Sequence, residues 1–413
     1  MKKKKIVGSA ILGNIVEYYD FGVFAVFAPI IGKLFFPSDD PFLQTLLALS
    51  VFAVGFLMRP IGGFVFGHIG DKLGRKVALT ISIIGMALCT FLIGILPSYE
   101  TIGITAPIIL VLIRLVQGLC VGGESAGVAI FILEHLEGYK PGLIGGIVMA
   151  SNMLGTLLAY FVGMGLTNFC SDLDFCWRYG FILGGFMGLI GLYMRFQLQE
   201  TPTFTKNKEK KGVVKMPLLE AMKYHWQKML VILFLGGVTS CVAYTIRGYL
   251  NVFFQDVMGY PAEDSLYFTT IGLFIMIVFM PIFGMAGDRV GYRKFFYTIC
   301  YIVIVTILPI YMLLANAEHN VTYVILGIVA LSIIASAICA PAYPYAIQAF
   351  EVELRYSGVA FSWNTGVALL GGTTPAISIF LSEKFGVIAP AYYIAGMAMA
   401  FILVSFATRR HKL

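Results

Sequence analysis

The chain has 413 residues, of which 59% are hydrophobic and only 12% charged, about half the charged share of soluble domains, and this excludes a water-soluble globular protein. The net charge of +7 does not point to nucleic acid, because the basic residues sit in short loops between apolar runs and form no continuous basic face. Seven cysteines and five histidines show no metal-ligand spacing, and no Walker loop or Gly-x-Ser-x-Gly is present, which argues against metal, ATPase and hydrolase chemistry.

A membrane span needs about 20 apolar residues. In chain order the apolar runs predict spans at 8–35, 43–69, 77–96, 104–133, 143–168 and 179–198, then 229–255, 265–286, 295–315, 321–349, 357–381 and 387–408. The first follows Met1 to Lys5 as a signal peptide would, but Glu17 and Asp20 interrupt it, so it reads as a retained helix. The expected architecture is all-α and integral to the membrane, with twelve transmembrane helices. A six-helix bundle at 1–198 and another at 229–413 are joined by a polar, lysine-rich cytoplasmic linker at 199–228. Most of the 29 basic residues fall on one side, including Lys2 to Lys5, Lys72, Arg75, Lys76, Arg195, the linker lysines, Arg293, Arg355, Arg409, Arg410 and Lys412. That side is cytoplasmic by the positive-inside rule, and both termini lie there.

An internal repeat supports two related halves. Gly67-His-Ile-Gly-Asp-Lys-Leu-Gly-Arg-Lys76 returns as Gly284-Met-Ala-Gly-Asp-Arg-Val-Gly-Tyr-Arg293. Gly67 and Gly284, Asp71 and Asp288, and Gly74 and Gly291 are offset by one constant step of about half the chain, and the same step carries Glu134 onto Glu351. Gly67 and Gly70 permit close helix approach and a tight turn. The carboxylate of Asp71 can accept from a facing helix N-terminus, and Arg75 and Lys76 can pair with Glu134 or Glu137. Such contacts make Gly67, Asp71, Gly74, Arg75, Asp288, Arg293, Glu134 and Arg355 candidate gating residues. The alternative is a solvated loop that only fixes topology.

Charges inside spans are costly unless they meet a partner or water. Glu17 and Asp20 share a face of span one with Asn14. They are either the proton-coupling site, Asp20 first and Glu17 second, or members of ion pairs with Arg59 or Arg114. In span four Arg114, Gln117, Val121 and Glu124 form one stripe, while Gly118, Gly122 and Gly123 thin the neighbouring surface for another helix. Arg114 is a ligand for a substrate carboxylate or a partner of the span-one acid. In span seven Ser240, Tyr244, Arg247 and Asn251 fall on one helical face, where a guanidinium flanked by hydroxyl and amide groups suits a carboxylate. Spans ten and eleven add Tyr343, Tyr345, Gln348, Trp363 and Asn364, and Pro341 and Pro344 predict a bent helix. The substrate-binding candidates are thus Arg114, Gln117, Tyr244, Arg247, Asn251 and Asn364. Cys170 and Cys176 share one loop, with their pairing left open.

Twelve spans in two halves, with the Gly67–Lys76 motif after the second, resemble the major facilitator superfamily. Four further stretches are similar to its metabolite:proton symporter branch, which includes proline/betaine, α-ketoglutarate, shikimate and citrate carriers. They are Gly13-Asn-Ile-Val-Glu-Tyr-Tyr-Asp-Phe-Gly22, Arg59-Pro-Ile-Gly-Gly63, Gln117-Gly-Leu-Cys-Val-Gly-Gly-Glu124 and Glu200-Thr-Pro202. The resemblance implies two bundles related by a pseudo-twofold axis, rocking about a central site of spans one, four, seven and ten, and a bacterial inner membrane. Tyr292 departs from the pattern at the position of Arg75, as do Tyr139 and Pro141 where relatives tend to carry arginines. The chain ends soon after span twelve without the coiled-coil tail of the osmosensing carrier, so osmotic activation is not expected. The expected function is proton symport of a small carboxylate-bearing metabolite, an organic acid or a zwitterion. The first alternative is a proline/betaine carrier in which the arginines pair internally and aromatics hold the cation. The second is proton-driven drug efflux, disfavoured because span five lacks the Gly-Pro pair associated with antiporters. No cofactor is expected beyond the proton as coupling ion. The expected partners are a small-molecule substrate and the lipid bilayer, with no nucleic acid and a monomeric state.

Overall fold

A computed structural model describes residues 3–136, 138–170, 172–317 and 320–408. Among them, twelve helical segments are long and apolar enough to cross a membrane, as expected, and none of the described residues forms a strand. Glu137, His319, Lys2 and the basic residues from Arg409 onward lie outside the described residues.

Spans one to six are the helices Lys3–Phe35, Pro41–Lys72, Arg75–Ile95, Thr105–His135, Pro141–Phe169 and Leu173–Phe196. Span seven runs from Pro217 to Val257, with a break in helical geometry at His225 and π-helical turns at Thr245–Tyr249 and Phe253–Val257. Spans eight, nine and twelve are Ala262–Val290, Tyr292–Ala315 and Ala389–Ala407. Span ten breaks between Val321–Cys339 and Ala342–Gln348, at the prolines that predicted a bend. Span eleven consists of Arg355–Gly366, a π-helical turn Val367–Gly371, and Thr374–Phe385. The linker is not uniformly irregular. Pro202–Lys211 is a helix, and the Thr201 hydroxyl caps it by accepting from the Phe204 N–H.

Contacts divide the chain into two compact units, one of residues 1–137, 151–218 and 352–361, the other of 138–150, 219–351 and 362–413. In the first unit, hydrophobicity does not decide which helix face is buried, because lipid is as apolar as leucine and packing supplies the attraction. Span three illustrates this. Arg75, Ala78, Leu79, Ser82, Ile83, Met86, Ala87 and Thr90 face inward, while Val77, Ile81, Ile84, Leu88 and Phe91 are exposed. The small and polar residues mark the buried stripe. Gly118 and Gly122 of span four meet the backbone of span two at Gly55, Arg59 and Gly62, the close approach expected of them. Tyr19, Phe24, Phe27, Phe35, Trp177 and Phe181 form the apolar core at the other end, and the Tyr19 hydroxyl donates to the Gly180 carbonyl at 2.8 Å.

Candidate functional site

Span one contributes the carboxylates of two buried carboxylate–guanidinium pairs in the first unit. On span one, Asn14, Glu17 and Asp20 follow one another at steps of three, and each finds a different partner. Asn14 donates to Ser151 and Asn152 of span five. Glu17 lies 3.7 Å from Arg59 of span two, both essentially unexposed, and Arg59 packs over the rings of Phe21 and Phe56. Asp20 forms a 2.9 Å ion pair with Arg114 of span four. Its second oxygen accepts from Thr90 at 2.9 Å and Gln117 at 3.1 Å. Gln117 in turn accepts from Arg114 at 2.8 Å. The Arg114 guanidinium lies 3.8 Å from the centre of the Phe24 ring. One terminal nitrogen makes all its hydrogen bonds, so Nε and the other terminal nitrogen are buried without a hydrogen-bond partner.

The span-four stripe therefore divides. Arg114 and Gln117 serve Asp20, but Glu124 belongs to a separate cluster with Arg195 of span six and Ser82 of span three. Arg195, counted from sequence among the cytoplasmic loop cations, is 1% exposed and also donates to the Leu79 carbonyl. Position at the end of an apolar run concealed it. Thr90 was not singled out either, and its signal was a hydroxyl on the same stripe as Ser82 and Arg75.

Asp71 and Arg75 of the first unit make the contacts expected of them. The Asp71 carboxylate accepts from the backbone N–H groups of Tyr356 and Ser357, at 3.1 and 2.8 Å, in the first turn of span eleven. A Cβ on Gly67 would stand 2.7 Å from the Ser357 Cα, and Gly74 turns the chain with φ 122°. Arg75 is fully buried. It pairs with Asp71 at 3.2 Å and Glu134 at 3.0 Å, and donates to the carbonyls of Gly70 and Val352. Glu134 also receives Arg355 at 2.9 Å and the Thr201 hydroxyl at 2.7 Å. Glu200 accepts from the Arg75 and Lys76 backbone N–H groups, which gives the Glu200–Pro202 stretch a concrete structural role. The Lys76 side chain, expected near Glu134 or Glu137, instead donates to the Phe196 carbonyl.

The second unit repeats the theme. Asp288 accepts from the backbone N–H groups of Gly142 and Leu143 at 2.7 and 3.0 Å, in the first turn of span five. Tyr292, which replaces the arginine of the first copy, donates its hydroxyl to Asp288 at 2.5 Å. Arg293 lines a cavity with Lys228 and Lys294. Arg247 lies in the first π-helical turn of span seven with its guanidinium 4.3 Å from the Tyr244 ring centre. The π turns shift the helical phase, so the expected single face through Asn251 does not carry through. Asn251 accepts instead from Ser265 at 2.7 Å and Gln255 at 3.0 Å. Asn364 is fully buried, and Tyr343 packs 4.7 Å from Trp363. A disulfide joins Cys170, in the loop between spans five and six of the first unit, to Cys176 in the first turn of span six.

Comparisons with known proteins agree with this architecture. The profile described as Major Facilitator Superfamily matches residues 10–277. The glycine betaine/proline/ectoine/pipecolic acid transporter OusA of Dickeya dadantii (strain 3937) is 33% identical over 97% of this chain and 82% of its own length. The proline/betaine transporter of Escherichia coli (strain K12) is 33% identical over 96% of this chain and 82% of its own. The proton:xylose symporter XylE bound to 6-bromo-6-deoxy-D-glucose superposes with a TM-score of 0.79 at 16% identity, covering 98% of this chain and 95% of that one. At that identity the likeness concerns the fold. The chain belongs to the major facilitator superfamily, within the metabolite:proton symporter branch that its sequence resembles.

Proposed function

We propose that the protein imports a small zwitterion of the proline/betaine type by proton symport through alternating access. The observation that carries this reading is the Asp20–Arg114 pair. The acid has a counter-charge, yet the arginine keeps its side-on pair of donors, Nε and one terminal nitrogen, without a hydrogen-bond partner. A substrate carboxylate suits that fork. Docking there competes with Asp20 for the positive charge, and a buried carboxylate without compensation takes up a proton. Substrate and proton are thereby coupled through one guanidinium. Glu17 stays paired with Arg59 and acts as the structural member of the span-one acids.

The zwitterion is favoured over a free organic acid for two reasons. Arg114 already has an internal carboxylate partner in Asp20, as the compatible-solute reading expects. The relatives at 33% identity are proline/betaine carriers by name. The Asp71 and Asp288 contacts, with the Glu134 cluster, are the cytoplasmic gate, parting when substrate leaves inward. A disulfide at the loop between spans five and six suits an oxidising exterior, which supports cytoplasmic termini in a bacterial inner membrane.

The test is uptake into proteoliposomes under an acid-outside gradient, with glycine betaine, proline, α-ketoglutarate, citrate and shikimate as substrates and a protonophore control. Protonophore-sensitive betaine or proline uptake, lost in Asp20→Asn with substrate exchange retained, is expected. Uptake of the organic acids alone, or flux indifferent to the gradient, refutes the reading.

A further inference from the structure

The second unit contains a cavity of about 730 Å³ that neither the gate nor the proton site uses. It is enclosed by the start of span seven, the Gly291–Lys294 turn, the first turns of span nine and the end of span ten. Three cations line it, Lys228, Arg293 and Lys294, and among the described residues no acidic side chain does. Tyr297 and Tyr301 form part of its wall, with the Arg293 guanidinium 6.0 Å from the Tyr297 ring centre.

Arg293 gives the cavity its chemistry. Its Nε and one terminal nitrogen are shielded from solvent and have no hydrogen-bond partner. Those two N–H groups are the side-on fork that matches two oxygens of one anion. In the first copy of the motif, buried Arg75 uses its guanidinium on Asp71 and Glu134. In the second copy Tyr292 stands at that position and makes the contact with the motif aspartate, while Arg293, the counterpart of Lys76, lines the cavity. Shielded guanidinium donors with no acceptor, beside two lysines and no acid, call for an anion from outside the chain.

The surroundings indicate where that anion comes from. Just before Lys228 the chain exposes Leu219, Met222, Tyr224 and Trp226, and Tyr301 on the cavity wall is 52% exposed. Exposed aromatics interleaved with lysines at the end of a span mark the headgroup level of a bilayer. We propose that this cavity binds a phosphate group, supplied in the membrane by the headgroup of an anionic phospholipid. The Arg293 side chain turns its fork from its shielded position toward the phosphate oxygens, and Lys228 and Lys294 neutralise the charge. Because the cavity adjoins the Asp288 turn, occupancy steadies the second copy of the gate motif.

Native mass spectrometry of the detergent-purified full chain, titrated with phosphatidylglycerol or phosphatidylcholine, tests the proposal. The anionic lipid is expected to be retained in preference to the neutral one. Each cation removed weakens retention about fivefold, so Arg293→Gln with Lys294→Gln lowers it roughly 25-fold. Lys206→Gln with Lys210→Gln, on the exposed linker helix, leaves it unchanged. If the double variant fails to fold, Lys294→Glu at an exposed position is expected to lower retention by at least the same fivefold. Thermal protection by inorganic phosphate, lost in the double variant, supports the same site with a soluble source. Equal retention by wild type and the Arg293/Lys294 variant with no effect of phosphate overturns the proposal, as does an equal loss in the linker variant.

Discussion

Replacing Asp71 with asparagine weakens the contact that holds the first turn of span eleven on span two. The carboxylate accepts two backbone N–H groups, at 3.1 and 2.8 Å, and stands 3.2 Å from Arg75. An asparagine keeps one acceptor oxygen but turns an amide NH2 toward the other N–H. One charge-assisted hydrogen bond is lost and the other becomes neutral. At about 1.5–3 kcal/mol for a bond to a charged group against about 1 for a neutral one, the closed arrangement loses roughly 2–5 kcal/mol. That shifts the population of the open form at least about 30-fold. A cysteine at Ser357 reads this out, because Ser357 is fully buried against Gly67 and a thiol is close to its hydroxyl in size. A thiol there disturbs little. A membrane-permeant maleimide is expected to modify Ser357→Cys slowly in the wild-type background and at least tenfold faster with Asp71→Asn. The five free native cysteines are buried and serve as the internal baseline. An unchanged labelling rate, with the unfolding temperature also unchanged, would refute the assignment of Asp71 to a closing contact.

Three further outcomes follow from the geometry. Gly67→Ala places a Cβ 2.7 Å from the Ser357 Cα, so the helices must separate and labelling at Ser357→Cys should also rise. Arg59→Ala leaves Glu17 buried without its counter-charge, and thermal unfolding in detergent should show a loss of about 3–5 kcal/mol, largely restored by adding Glu17→Gln. Reducing the Cys170–Cys176 disulfide, which closes a loop with a sequence separation of 6, should cost about 2 kcal/mol in the same assay. An impermeant maleimide should then reach those two thiols in intact cells if the loop lies outside, and fail to if it lies within.

The twelve spans were legible because a bilayer leaves the backbone almost no choice, so long apolar runs become helices whatever packs beside them. The contacts of Asp71 were legible for a related reason. A carboxylate at the end of an apolar run must find donors, and the repeated glycines around Asp71 and Asp288 indicate that another helix approaches closely. Pro341 and Pro344 announced the break in span ten because they lack the N–H that a continuous helix needs. Sequence spacing could show that Glu17 and Asp20 share a face, but not that Glu17 would meet Arg59 and Asp20 would meet Arg114. Spacing defines which way a side chain leaves its own helix and says nothing about which helix stands opposite.

The same limit hid Arg195, whose position next to the linker resembled that of a loop cation until the packing of spans three, four and six enclosed it with Glu124. It also hid the π-helical turns of span seven, which depend on an inserted residue being tolerated by neighbours and shift Asn251 onto Ser265. The sequence alone therefore determined the class, the number of spans, the repeat and the identity of the buried charges, all of which follow from the cost of placing polar groups in lipid. Only the tertiary structure decided how those charges pair and which arginines, Arg114 and Arg293, keep donors for something else, because pairing is a property of helices brought together and not of any one of them.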